Sequence, residues 1–244
     1  MKEILQQIDL LQEQINKHRP LNHSELQQIK EYYRIGLTYT SNALEGNSLT
    51  ETETKIVLEE GITIGGKPLV DHLEAVGHSQ SYDFLFERSQ QKVISQDDIN
   101  QLHKLFYYKI NPQEAGVYRT VNAYITGSKF PLPHPGQLEL LMQKLIVELD
   151  ELRPRLHPVE FAALAHKKFV FIHPFVDGNG RVARLLMNLI LLQSGYTITL
   201  IPPVTRATYI QSLEKAHTND ADFTKFIANM VKETQQDYLR LFCN

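Results

Sequence analysis

The chain has 244 residues, 42% of them hydrophobic and 22% charged, which is enough apolar material to bury a full core. With 25 Lys and Arg against 28 Asp and Glu the formal charge is −3, which argues against a protein that lives on nucleic acid or anionic lipid. The one cysteine, Cys243, excludes a disulfide framework and a cysteine-rich zinc site, and points to a reducing compartment.

Along the chain, most of the sequence reads as helix. Ile4, Ile8, Leu11 and Ile15 recur at three- and four-residue steps, giving one apolar stripe on an N-terminal helix. Charges scattered through that helix leave no apolar run for a secretory leader. The most apolar stretch, Leu185 to Leu192, is broken by Asn188 and falls far short of the roughly 20 residues a membrane span needs. A soluble, cytoplasmic protein is expected. Glu25 to Leu44 predicts a second helix that stops at Gly46-Asn47, and Thr50 with Glu53 has capping-box spacing for a helix running to Glu60. After a loop from Gly61 to Pro68, helices are expected over Leu69 to Arg88 and Ser95 to Tyr108, the latter closed by Asn111-Pro112. Then the period changes. Val121, Ala123 and Ile125 alternate with Asn122, Tyr124 and Thr126, followed by Gly127-Ser128 and Pro131, Pro133 and Pro135, which predicts a β-hairpin or flap. Helices resume over Leu138 to Leu152, Pro158 to Ile172, Arg181 to Ser194, Arg206 to Ala216 and Asp222 to Phe242.

Two motifs mislead. Gly61 to Lys67 matches the G-x-x-x-x-G-K half of a phosphate loop, but Pro68 stands where a Ser or Thr must hold magnesium, and a helix precedes it rather than a strand. It reads as a connector. Among ten histidines, His157, His166 and His173 fall close together without zinc-ligand spacing; His157 reads as a helix-entry residue and His166 as a buried helix histidine.

The segment His173-Pro-Phe-Val-Asp177-Gly178-Asn179-Gly180-Arg181-Val-Ala-Arg184 is different. An apolar helix delivers His173 to a turn, and the glycines let backbone amides approach a ligand closely. Arg181 and Arg184 lie three residues apart on one face of the next helix. Helix-terminal amides plus two guanidiniums make an anion cradle suited to phosphates. Asp177 supplies the hard oxygen that a phosphate-bound Mg²⁺ takes, and His173 can accept a proton from an attacking hydroxyl.

His173 to Arg184 resembles the signature of the Fic (filamentation induced by cAMP) family, H-P-F-x-[DE]-G-N-G-R-x-x-R, at every specified position. Gly116-Val-Tyr118-Arg119, the flap, Leu185-Leu-Met-Asn188, Gly195-Tyr196 and Arg206-x-x-Tyr209 extend the likeness from roughly Ser41 onward. Ser41-Asn-Ala-Leu-Glu45-Gly46 resembles the family's inhibitory motif, in the subgroup that carries it before the Fic core. The resemblance implies an all-α Fic bundle with a β-hairpin flap, divided into an N-terminal helical region (1–68) carrying the inhibitory motif and a Fic core (69–244). It implies transfer of AMP from MgATP to a Ser, Thr or Tyr hydroxyl of a target protein. His173 would be the base, Asp177 the Mg²⁺ ligand, and Gly178, Asn179, Gly180, Arg181, Arg184 and Tyr209 the nucleotide site. Ser41, Glu45 and Gly46 would inhibit by engaging Arg184, and Val121, Asn122, Ala123, Tyr124 and Ile125 would dock the target strand. A homodimer is the family-level expectation; nucleic acid and membranes are not expected partners. His217 and Ile210 depart from the family's adenine pocket, which leaves the nucleobase open. Alternatives on the same fold are transfer of another nucleotide, removal of AMP from a modified target, and a catalytically silent binding protein.

Overall fold

Three helix starts are written into the sequence as reciprocal capping boxes. Asn22 and Glu25 exchange side chain-to-backbone hydrogen bonds of 2.9 Å each way, Thr50 and Glu53 do the same, and Ser95 with Asp98 makes the third. A fourth start places Pro158 in the first turn, with the His157 side chain accepting from the Val159 amide. The computed structural model describes residues 1–242; Cys243, and the compartment read from it, lie outside the described residues. Among the described residues there are ten α-helices: α1 (Lys2–Asn16), α2 (His23–Ala43), α3 (Glu51–Glu60), α4 (Leu69–Ser89), α5 (Gln96–Tyr107), α6 (Leu138–Leu152), α7 (Pro158–Ile172), α8 (Asn179–Gln193), α9 (Arg206–Lys215) and α10 (Ala221–Phe242). None is long and apolar enough to cross a membrane.

The hairpin of α7 and α8 is the centre of the molecule. Every residue from Arg181 to Leu191 is buried, because α2, α4, α5 and α7 all pack around α8. Asn188, wholly buried in that apolar helix, is satisfied by Arg184 O and by both backbone groups of Thr199. The N-terminal helices share this core: Ile8 and Ile15 of α1 and Tyr33 and Leu37 of α2 join Phe161, Phe169 and Leu189 in one apolar cluster.

One expectation is corrected. No β-strand forms among the described residues, so the flap is not a β-hairpin. Residues 117–134 make an irregular arm whose tip turns at Gly127, with the Ser128 amide donating to Ile125 O. The proline cluster explains the missing ladder, since Pro131 and Pro133 have no N–H to give the facing arm. Arg119, 3% exposed, holds the arm instead: Nη1 and Nη2 donate to Val121 O and Pro133 O, one on each side of the loop.

Candidate active site

The site forms where α7 ends and α8 begins. His173 caps α7 in the left-handed region, at φ 50°, which turns the chain sharply toward α8. Its Nδ1 lies 3.3 Å from Val170 O; a carbonyl can only accept, so Nδ1 carries the hydrogen and Nε2 keeps its lone pair. Burial holds the imidazole below its usual pKa, and the Arg119 charge adds to that, so the ring is neutral near pH 7. The same Arg119 donates from Nε to His173 O, locking the flap to the motif loop.

Gly178 caps α8 at φ +76°, and a Cβ there would meet Phe106 at 2.8 Å, so only glycine fits the turn. The helix therefore starts at Asn179, two residues before the expected start. The amides of Asn179, Gly180 and Arg181 precede the first helical bond, from Val182 N to Gly178 O, and are free to bind an anion. The Asn179 side chain is spent elsewhere: it accepts from Phe175 N and donates to Phe175 O, fixing the loop. What Asn179 can offer a phosphate is its amide.

The two arginines have different surroundings. Arg181, 4% exposed, is clamped by Glu74 of α4 at 2.7 Å, reaches Asp177 at 3.3 Å, and lies over the Phe106 ring. Arg184, 2% exposed, is held by the last turn of α2 and the residues just after it. Its Nε donates to Ser41 Oγ, and Nη2 donates to Ser41 O and to Glu45 Oε1, both at 2.7 Å. Burial alone would raise the Glu45 pKa, but Arg184, aided by Arg181 and Arg206, holds it below the usual carboxylate value. Gly180 makes room for this pair: a Cβ there would lie 2.2 Å from Glu45 Oε1. Tyr209 Oη faces Arg184 and His166 Nε2.

Asp177 is the open position, with its side chain 55% exposed. Among the described residues no group of three metal-ligating side chains exists. One accessible carboxylate beside an anion cradle suits Mg²⁺, which takes its remaining ligands from phosphate and water. A cavity of about 150 Å³ beside His173 and Glu45 is lined by Ile125, Phe130, Phe171, Tyr209 and His217. His217 is sandwiched between Phe130 and Phe171 at centroid distances of 3.9 and 3.7 Å.

The structure thus brings His173, Asp177, Gly178, Asn179, Gly180, Arg181, Arg184 and Tyr209 together with Ser41 and Glu45. Gly46, at φ +97°, turns the chain just after Glu45. Val121 and Tyr124 stand out in solvent. Two supporting residues carry no sequence signal. One is Glu74. The other is His103, which accepts from Gly116 N through Nδ1, donates through Nε2 to Asp177 O, and stacks on Phe175 at 3.8 Å.

Residues 93–191 match the Fic/DOC family. Over 204 residues, 82% of this chain, the sequence is 40% identical to Protein adenylyltransferase Fic of Drosophila grimshawi, and it spans 42% of that relative's length. The fold is similar to that of Fic-1 from C. elegans, with a TM-score of 0.88 and 33% identity over 98% of this chain and 72% of that one. It is also similar to a Fic domain containing signaling protein from Bacteroides thetaiotaomicron, with a TM-score of 0.86 and 26% identity over 94% and 95% of the two chains. This chain belongs to the Fic family.

Proposed function

We propose that the chain is an autoinhibited protein adenylyltransferase that moves AMP from MgATP to a hydroxyl side chain of another protein. The observation that carries this is the neutral His173, its Nε2 lone pair free, beside three unpaired helix-terminal amides and the buried Arg181. The amides and Arg181 bind and orient the phosphates, so that positioning and charge do most of the work. His173 Nε2 takes the proton of the target hydroxyl as its oxygen bonds to the α-phosphorus, and the bond to the pyrophosphate oxygen breaks. Asp177 would hold Mg²⁺, which neutralises charge on the leaving pyrophosphate. The arm from Val121 to Ile125, exposed at every position but Ala123, can pair with an extended target segment, fixing the hydroxyl while reading little sequence. Glu45 restrains the reaction by occupying Arg184, the group that would otherwise hold the γ-phosphate.

A second reading rests on one observation. Only Oε1 of Glu45 is used by Arg184, and the side chain is 35% exposed beside His173. Its other oxygen can orient a water, which suits hydrolysis of an AMP-modified target.

The test is transfer from ATP labelled at the α-phosphate, with GTP, UTP and CTP as competitors, followed by incubation of the labelled target with wild-type protein. Metal-dependent label on protein, displaced best by ATP, is expected. Label displaced better by another nucleotide moves the substrate, and absence of any transfer by Glu45→Gly refutes the activity.

A further inference from the structure

A second cavity, of about 550 Å³, opens between the α1–α2 turn, α2, the end of α4 and the segment after α8. It shares no lining residue with the cavity beside His173. Leu192 lines it near the far end of α8, about 20 Å along the helix from Asn179 at 1.5 Å per residue. The volume is that of a small-molecule site rather than of a packing defect.

The wall and the rim differ in chemistry. Leu26, Ile29, Phe86, Leu192 and Ile198 make the wall hydrocarbon, and nearby hydroxyls are consumed internally, Tyr82 donating to Lys30 O and Ser89 to Phe86 O. The rim carries two half-buried cations, Arg19 and Lys30, while no Asp or Glu lines the cavity. Neither cation has a carboxylate partner among the described residues. Lys30 Nζ rests 4.5 Å over the Phe86 ring, and Arg19 uses Nη1 on Gly195 O and Asn16. Two cations without a carboxylate partner therefore stand at the rim of a cavity lined mainly by apolar side chains. Half-buried cations of this kind favour an anionic group at the rim. The hydrocarbon wall rejects sugars and nucleotides, which need polar partners along their whole length.

We propose that this cavity binds a medium-chain fatty carboxylate, with the chain against Leu26, Ile29 and Phe86 and the carboxylate at Arg19 and Lys30. Binding is set by two separable terms. Each buried methylene strengthens it about fourfold until the cavity is full, and the headgroup adds charge-assisted hydrogen bonds.

Titration calorimetry on the full chain separates them, using hexanoate, octanoate, decanoate and decanol as probes. Saturable one-site binding is expected, rising about fourfold per methylene from hexanoate to decanoate, with decanol at least about tenfold weaker. Arg19→Gln with Lys30→Gln should lower decanoate to the affinity of decanol. Leu26→Trp, at a partly exposed edge, should fill the cavity and weaken both ligands. Unsaturable uptake, equal binding of decanoate and decanol by the wild type, or binding unchanged in Leu26→Trp would each overturn the site. The wild-type ligand series decides by itself if a variant fails to fold.

Discussion

Arg184 and Glu45 meet through one 2.7 Å contact between Nη2 and Oε1, with the guanidinium at 2% exposure and the carboxylate at 35%. The same guanidinium also holds the side chain and carbonyl of Ser41, so every strong partner it has comes from the segment before the catalytic motif. A fork committed in this way cannot also clasp a terminal phosphate.

Glu45→Gly should therefore raise transfer rather than lower it. The pair is charge-assisted, but the exposure of Glu45 puts it at the low end of its class, about 1.5–2 kcal/mol. At a factor of ten per 1.4 kcal/mol, the productive population grows about 10–30-fold. Arg184→Ala in the same background should cancel the gain. Labelling by Glu45→Gly at or below the wild-type level, in a protein shown to be folded, would sink the autoinhibition reading and leave the active-site reading standing.

The base should announce itself in the pH profile. His173 acts only when neutral, and burial lowers its pKa. Transfer by Glu45→Gly should thus be highest above neutrality and fall in acid solution with a midpoint below 6.5, the ordinary histidine value. His173→Ala should lose about 10²–10⁴ in rate with nucleotide affinity within a few-fold. An acid limb centred at or above 6.5, or near-normal turnover by His173→Ala, would assign the base elsewhere.

Helix positions, the capping box at Thr50 and the residues from His173 to Arg184 were legible because each is a local pattern. The contact of Ser41 and Glu45 with Arg184 was legible only through the resemblance to a known family, since it spans 143 and 139 residues. Glu74 had no such help. It lies on an ordinary helical face, and its role exists only because folding brings Arg181, 107 residues later, within 2.7 Å. The flap failed for the opposite reason. Alternation from Val121 to Thr126 predicts a strand, but a strand needs a partner that can donate, and the facing arm is rich in proline.

Three buried histidines predict how acid unfolds the protein. Burial is the main cause that pushes His78, His103 and His166 down to about 3, while in the unfolded chain each titrates near 6.5. Below 6.5 the unfolded chain takes up protons that the folded one refuses, so stability is complete above 6.5 and is lost as pH falls toward 3. The slope is up to about 1.4 kcal/mol per pH unit for each histidine. Glu45, with its pKa lowered from 4.5, adds a loss of the same sign only as pH falls through the ordinary carboxylate range, so the series stops at pH 5.0. Urea unfolding at pH 7.5, 6.5, 5.8 and 5.0 should show a flat region, then a decline that is shallower in His103→Gln. Constant stability across the series would mean these rings take up protons in the folded state.

Glu74 should act on turnover through Arg181. Its Oε1 accepts from Arg181 Nη1 and its Oε2 accepts from Asn47 Nδ2, so one carboxylate fixes the arginine and ties it to the chain just beyond Glu45. Glu74→Gln keeps the size and loses the charge: its amide oxygen can face Arg181 or Asn47 but not both, so Arg181 keeps at best a neutral hydrogen bond beside the longer 3.3 Å contacts to Asp177. A guanidinium freed by even about 1 Å can cost roughly 10²-fold in a reaction that depends on alignment. In the Glu45→Gly background, kcat should fall about 10–100-fold while KM for ATP changes little, because the helix-terminal amides still bind phosphate. Asn47→Ala should shift kcat the same way and less. A purely structural role would lower the melting temperature without this kcat-against-KM split. The decisive comparison is a double-mutant cycle. Once Arg181→Ala is present, adding Glu74→Gln should cost nothing further in kcat, because the group that Glu74 positions is gone. Full additivity of the two losses would show that Glu74 acts through some other residue.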